Sequence, residues 1–121
     1  MAWEIELYTT EKGECPVEAF ILKIPKKAQA KVARYIRLLT EFGLQLREPY
    51  VRDITGISKL KELRIPFRTD AYRIFYFAFT GQKFVLVHAI QKKTPKTPKR
   101  DLQIAEARLN DYLARHQGGN Q

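Results

Sequence analysis

The run Phe84-Val85-Leu86-Val87-His88-Ala89-Ile90 is apolar on both faces of an extended chain, the pattern of a strand in the middle of a sheet. Its neighbours are written nearby. The chain after Pro49 reads as three or four strands: a short one around Tyr50 to Ile54, then Lys59 to Ile65, Tyr72 to Phe79 and Phe84 to Gln91. Gly56 and Ser58 precede the first long strand, Pro66 to Asp70 separate the next pair, and Thr80-Gly81-Gln82 forms a short hairpin connection. Connections this short imply an antiparallel meander.

The flanks supply the rest of an α+β fold. Trp3-Glu4-Ile5-Glu6-Leu7-Tyr8 alternates apolar and acidic residues, which predicts an opening strand with one buried face. Pro16 suits the first position of a helix, where no amide is needed, and Val17, Phe20, Ile21 and Ile24 recur at helical spacing until Pro25. From Pro25 to Phe42 a second helix places Ala28, Val32, Tyr35, Ile36, Leu39 and Phe42 on one face, and Gly43 is its natural stop. Lys23, Lys26, Lys27, Lys31, Arg34 and Arg37 make the other side of this helical hairpin basic. A last helix is expected from Thr97-Pro98, a hydroxyl N-cap followed by proline, with Leu102, Ala105, Leu109 and Tyr112 inward. The 121 residues are expected to form one domain, 1–121, with 117–121 frayed.

Charge narrows the partners. Against 13 acids stand 22 basic residues, a net +9. Residues 1–18 carry five acids and Lys12 alone, −4, whereas 19–100 carry nineteen cations and five acids, +14. Such a field attracts a polyanion, so nucleic acid or a nucleic-acid assembly leads, followed by an acidic protein. No apolar run reaches a membrane span, and the first residues lack a signal-peptide pattern. One cysteine, Cys15, and two histidines, His88 and His116, exclude a disulfide framework and point away from a zinc site. We expect no metal, no cofactor and a cytoplasmic location.

Glycine-rich phosphate loops, HExxH and nucleophile triads are absent. What remains is a set of cations and one carboxylate on adjacent strands. In Lys59-Leu60-Lys61-Glu62-Leu63-Arg64-Ile65, Glu62 and Arg64 share a face, with Leu63 and Ile65 on the other. Arg73 is the one charge within Tyr72-Arg73-Ile74-Phe75-Tyr76-Phe77, so it either meets a buried acid, Glu62 being the candidate, or points into a cleft. Both alternatives stand. The segment from Lys92 to Arg100 holds five cations (Lys92, Lys93, Lys96, Lys99, Arg100), no acid and two prolines that keep it extended, suiting it to follow a phosphodiester backbone. His88 reads as a core histidine.

The ordered set KLKELR (Lys59 to Arg64), YRIFY (Tyr72 to Tyr76), VLVH (Val85 to His88) and KKTPKTP (Lys92 to Pro98) resembles the RelE/ParE superfamily of type II toxins. The likeness is to its phage-derived, HigB-like branch, and it covers most of the chain. It implies a RelE-like α+β toxin that cuts mRNA in the ribosomal A site and is silenced by a cognate antitoxin. Cutting RNA without metal requires the 2′-hydroxyl to attack the adjacent phosphate, hence a base, cations for the phosphorane and a proton for the 5′-oxygen. The resemblance transfers catalytic or phosphate-contacting roles to Glu62, Arg64, Arg73, Lys92 and Lys93, while Lys59, Lys61, Lys96, Lys99 and Arg100 are the expected RNA-binding cations. Glu62 stands where some members carry lysine. The competing readings are a ParE-like inhibitor of DNA gyrase without hydrolytic activity and a basic nucleic-acid-binding module.

Overall fold

The computed structural model describes residues 2–92 and 96–117. Strand β1 (Glu4–Leu7) leads to helices α1 (Pro16–Lys23) and α2 (Lys26–Phe42), a 3-10 turn (Gly43–Gln45), strands β2 (Val51–Asp53), β3 (Lys61–Phe67), β4 (Asp70–Phe79) and β5 (Lys83–Lys92), and helix α3 (Lys99–Gln117). The sheet order is β1-β5-β4-β3-β2. The antiparallel meander from β2 to β5 is present, and β1 adds to it in parallel beside β5 after the helical crossover. The doubly apolar β5 thus lies between two strands.

Helices cover both faces of the sheet. On one side, Val17 of α1 and Ala28, Val32 and Leu39 of α2 pack on Leu63, Ile65, Ile74, Tyr76 and Leu86. On the other, Ala105, Leu109 and Tyr112 of α3 pack on Leu60, Phe75, Phe77, Val85 and Val87. Burial of these side chains holds the three layers together, each large one worth about 1.5–3 kcal/mol. The far end of α3 is also tied to the first strand, where Tyr112 Oη donates to Glu6 Oε1 at 2.9 Å and Tyr8 Oη donates to Asp111 Oδ2 at 2.6 Å.

Several boundaries differ from expectation. Phe42, placed inward by periodicity, is 49% exposed at the end of α2. Gly43 stops it with φ +57°, and a Cβ there would fall inside the Trp3 indole, so glycine meets two demands at once. Pro66 belongs to β3 and not to the turn, which is reduced to Arg68 and Thr69 between the paired Phe67 and Asp70. The Arg64 amide donates to Tyr50 O on the β2 side, so two residues on the Pro66 nitrogen points the same way, beyond the last pair with β2. A strand edge accepts proline there without losing a ladder bond.

Candidate functional site

Register assembles the site. Glu62 pairs with Phe75 and Phe75 with His88; Arg64 pairs with Arg73 and Arg73 with Ile90; Pro66 pairs with Ala71 and Ala71 with Lys92. These three rows lie on the α3 face of the sheet. Arg52, opposite Glu62 on β2, extends the first row to the sheet edge.

A bulge in β5 completes the row. Phe75 pairs with His88 but Tyr76 with Leu86, leaving Val87 as an extra residue. An extra residue shifts alternation by one, so Val87 and His88 both face α3. His88 stacks on Phe75 with ring centroids 5.9 Å apart, and its Nε2 lies 2.9 Å from Asp101 Oδ1 in the first turn of α3. Arg108 Nη1, which also donates to Val87 O, lies 3.0 Å from His88 Nδ1. A guanidinium only donates, so Nδ1 accepts and Nε2 carries the proton toward Asp101. Burial pushes the imidazole pKa down, the Asp101 bond opposes this and Arg108 adds to it; the net direction is down. His88 is therefore a bonded histidine that joins the sheet to α3.

Glu62 and Arg73 form the core of the cluster, their side chains 3% and 1% exposed. Glu62 Oε2 lies 3.5 Å from both Arg73 Nε and Arg64 Nε. Arg73 Nη1 donates to Thr97 Oγ1 at 2.9 Å, and that hydroxyl donates to Glu62 Oε1 at 3.3 Å. Burial lowers the Arg73 pKa while Glu62 resists the loss, and the nearby Arg64 and Arg52 charges add to the lowering. One acid thus holds two guanidiniums, and of these only Arg64 reaches solvent, with 28% of its side chain exposed.

The hydroxyl of Thr97 does not cap the last helix, contrary to the expectation from its place before Pro98. It instead spans Glu62 and Arg73, and the Pro98 carbonyl takes the first helical amides, from Asp101 at 3.1 Å and Leu102 at 3.2 Å. The helix consequently starts at Lys99, one residue after the proline. Beside this bridge opens a cleft of about 370 Å³ lined by Arg52, Asp53, Ile54, Thr55, Glu62, Lys96, Thr97 and Leu102.

Of the ten candidate residues, Glu62, Arg64, Arg73 and Lys92 share this face, and Lys96 lines the cleft. Lys99 and Arg100 are exposed in the first turn of α3. Lys61 lies on the opposite face of β3, its Nζ 2.6 Å from Asp53 Oδ1. Lys59 lines a separate hollow with Glu106 and Asn110. Lys93 falls outside the described residues, as do residues 94–95 of the basic segment and 118–121 of the expected frayed end. Sequence reasoning missed Arg52, Thr97 and the His88, Asp101 and Arg108 network. Arg52 carries no local signal, since Arg52 and Asp53 set two charges side by side, and its register with Glu62 needed the fold. Among the described residues no cluster of His, Cys, Asp and Glu could hold a metal ion, and no helix is long and apolar enough to cross a membrane.

This arrangement sits within a recognisable family. A family model described as "Phage derived protein Gp49-like (DUF891)" matches residues 19–110, from α1 through most of α3. The chain belongs to this Gp49-like family. A comparison with curated proteins gives no match. Among solved structures, a chain of the archaeal RelE-RelB complex from Pyrococcus horikoshii OT3 superposes with a TM-score of 0.52 at 16% identity, covering 79% of this chain and 100% of that one. At that identity the likeness is one of fold, and the Gp49-like chain has the RelE-like α+β architecture.

Proposed function

We propose that this Gp49-like protein is the toxin of a type II toxin-antitoxin pair, of the HigB-like kind, and cuts mRNA on the ribosome in the cytoplasm. The observation that carries this reading is a carboxylate held among guanidiniums on one sheet face, beside a cleft flanked by the basic entry to α3. In the proposed reaction the O2′–P bond forms and the P–O5′ bond breaks. Glu62 takes the 2′-hydroxyl proton, an ammonium of the Lys92 to Lys96 stretch gives one to the 5′-oxygen, and a 2′,3′-cyclic phosphate results. Arg64 and Arg52, the guanidiniums that reach solvent, stabilise the phosphorane, while Lys96, Lys99 and Arg100 follow the backbone. Arg73, buried beside Glu62, holds that carboxylate in place.

The pairing of RelE with RelB in the archaeal complex supports a protein partner for a chain of this fold. For this chain we infer an antitoxin with an acidic surface. It would cover the exposed basic side of α2 (Lys26, Lys27, Arg34, Arg37) and the cleft near Arg64. The test is in-vitro translation with purified protein followed by primer extension on the mRNA. Discrete cuts, with 2′,3′-cyclic phosphate ends, are expected. Intact mRNA together with blocked gyrase supercoiling would replace the nuclease with a ParE-like inhibitor, and a buried Glu62-Arg73 pair would then be structural only.

A further inference from the structure

At the edge of the cleft a hydroxyl bridges the buried carboxylate and guanidinium. Glu62 is 2% exposed and Arg73 1%, yet Glu62 and Thr97 both line the 370 Å³ cleft. Between the two charges lies Thr97 Oγ1, which accepts from Arg73 Nη1 at 2.9 Å and donates to Glu62 Oε1 at 3.3 Å. A ribose hydroxyl poised to lose its proton needs the same two partners, a carboxylate to receive the proton and a cation to favour the developing alkoxide.

We propose that Thr97 Oγ1 occupies the position of the substrate's attacking 2′-hydroxyl, so that RNA must displace Thr97 to reach Glu62. Thr97 is well placed to leave. It precedes the first turn of α3 and sits in no ladder or helix. The helix behind it is fastened independently, through Asp101 and Arg108 to His88 and through Tyr112 to Glu6, so Thr97 can swing out while α3 stays docked. The neighbouring Lys96 and Lys99 carry the charge that draws a phosphate backbone to this spot. Without RNA, the hydroxyl keeps a buried carboxylate and guanidinium hydrogen-bonded.

The proposal rests on the nuclease reading, and the experiment separates the two. Single-turnover mRNA cleavage on programmed ribosomes is measured for the full chain and for Thr97→Ser, Thr97→Val and Thr97→Ala. Valine keeps the shape and removes the hydroxyl, which guards against a packing effect in alanine. Removing an internal competitor bonded to two charged groups should lower the half-saturating concentration roughly tenfold in the valine and alanine variants, with serine unchanged. In parallel, a dicarbonyl reagent with peptide mapping should modify Arg73 faster in both variants. Reduced maximal rate at unchanged half-saturation would show that Thr97 positions Glu62 and would overturn the proposal. Unchanged cleavage, or Arg73 protected as in the wild type, would overturn it too. Absence of cleavage by the wild type would defeat the nuclease reading and this inference with it.

Discussion

Removing Arg73 alone should cost this protein far more than removing Arg73 and Glu62 together. Arg73 is 1% exposed and stands 3.5 Å from a carboxylate that is itself 2% exposed. In Arg73→Ala the Glu62 charge stays buried, with Arg64 3.5 Å away and the Thr97 hydroxyl beside it. Breaking a buried pair from one side costs about 3–5 kcal/mol, because the surviving charge has lost its compensation without regaining water. A domain of 121 residues loses roughly 4 °C of Tm per kcal/mol, so Tm should fall by about 12–20 °C. In Glu62→Leu/Arg73→Met both charges go, Arg64 turns to solvent, and apolar groups meet Phe75 and Ile90 on the same face. Such replacements are often neutral, and the double variant should lose less than about 2 kcal/mol. Urea titrations followed by circular dichroism, at matched m-values, give the three free energies. A double variant as unstable as Arg73→Ala would refute the coupling, as would an Arg73→Ala variant within about 1 kcal/mol of wild type.

The same geometry makes two more predictions. His88 has a folded pKa below its ordinary 6.5, so the unfolded chain binds its proton first; the His88 contribution is complete above about pH 6.5 and is lost as pH falls below it. Wild-type Tm should therefore drop between about pH 6.5 and 5 more steeply than that of His88→Gln, and parallel curves would show that the imidazole takes up its proton equally in the folded and unfolded chain. Lys96→Ala/Lys99→Ala/Arg100→Ala should weaken ribosome association and flatten its log-log salt dependence by about 0.7 for each single-strand phosphate that the variant no longer neutralises, while an unaltered slope would make the segment a solvated turn.

What could be seen in the sequence was local. Alternation and helical spacing depend on neighbours two to four residues away, so β1, the helical hairpin, the meander and α3 were legible, each within a few residues of its end. The shared face of Glu62 and Arg64 is the same kind of fact, since i and i+2 in a strand must project together. The placement of Lys61 on the opposite face was equally readable from alternation, although charge alone had grouped it with the RNA-binding set.

Whether Arg73 meets an acid or a cleft was not local, because the answer lies in the register of β3 against β4 and in the helix laid over them. The sheet supplied the acid, and α3 sealed the pair. The extra residue at Val87 turned His88 toward Asp101, 13 positions away, and no pattern within β5 announces a bulge. Thr97 looked like a cap because hydroxyls before helices usually are. A buried guanidinium and carboxylate offered its oxygen stronger, charge-assisted bonds than a helix amide does, and only the folded chain brings residues 62, 73 and 97 together to make that offer.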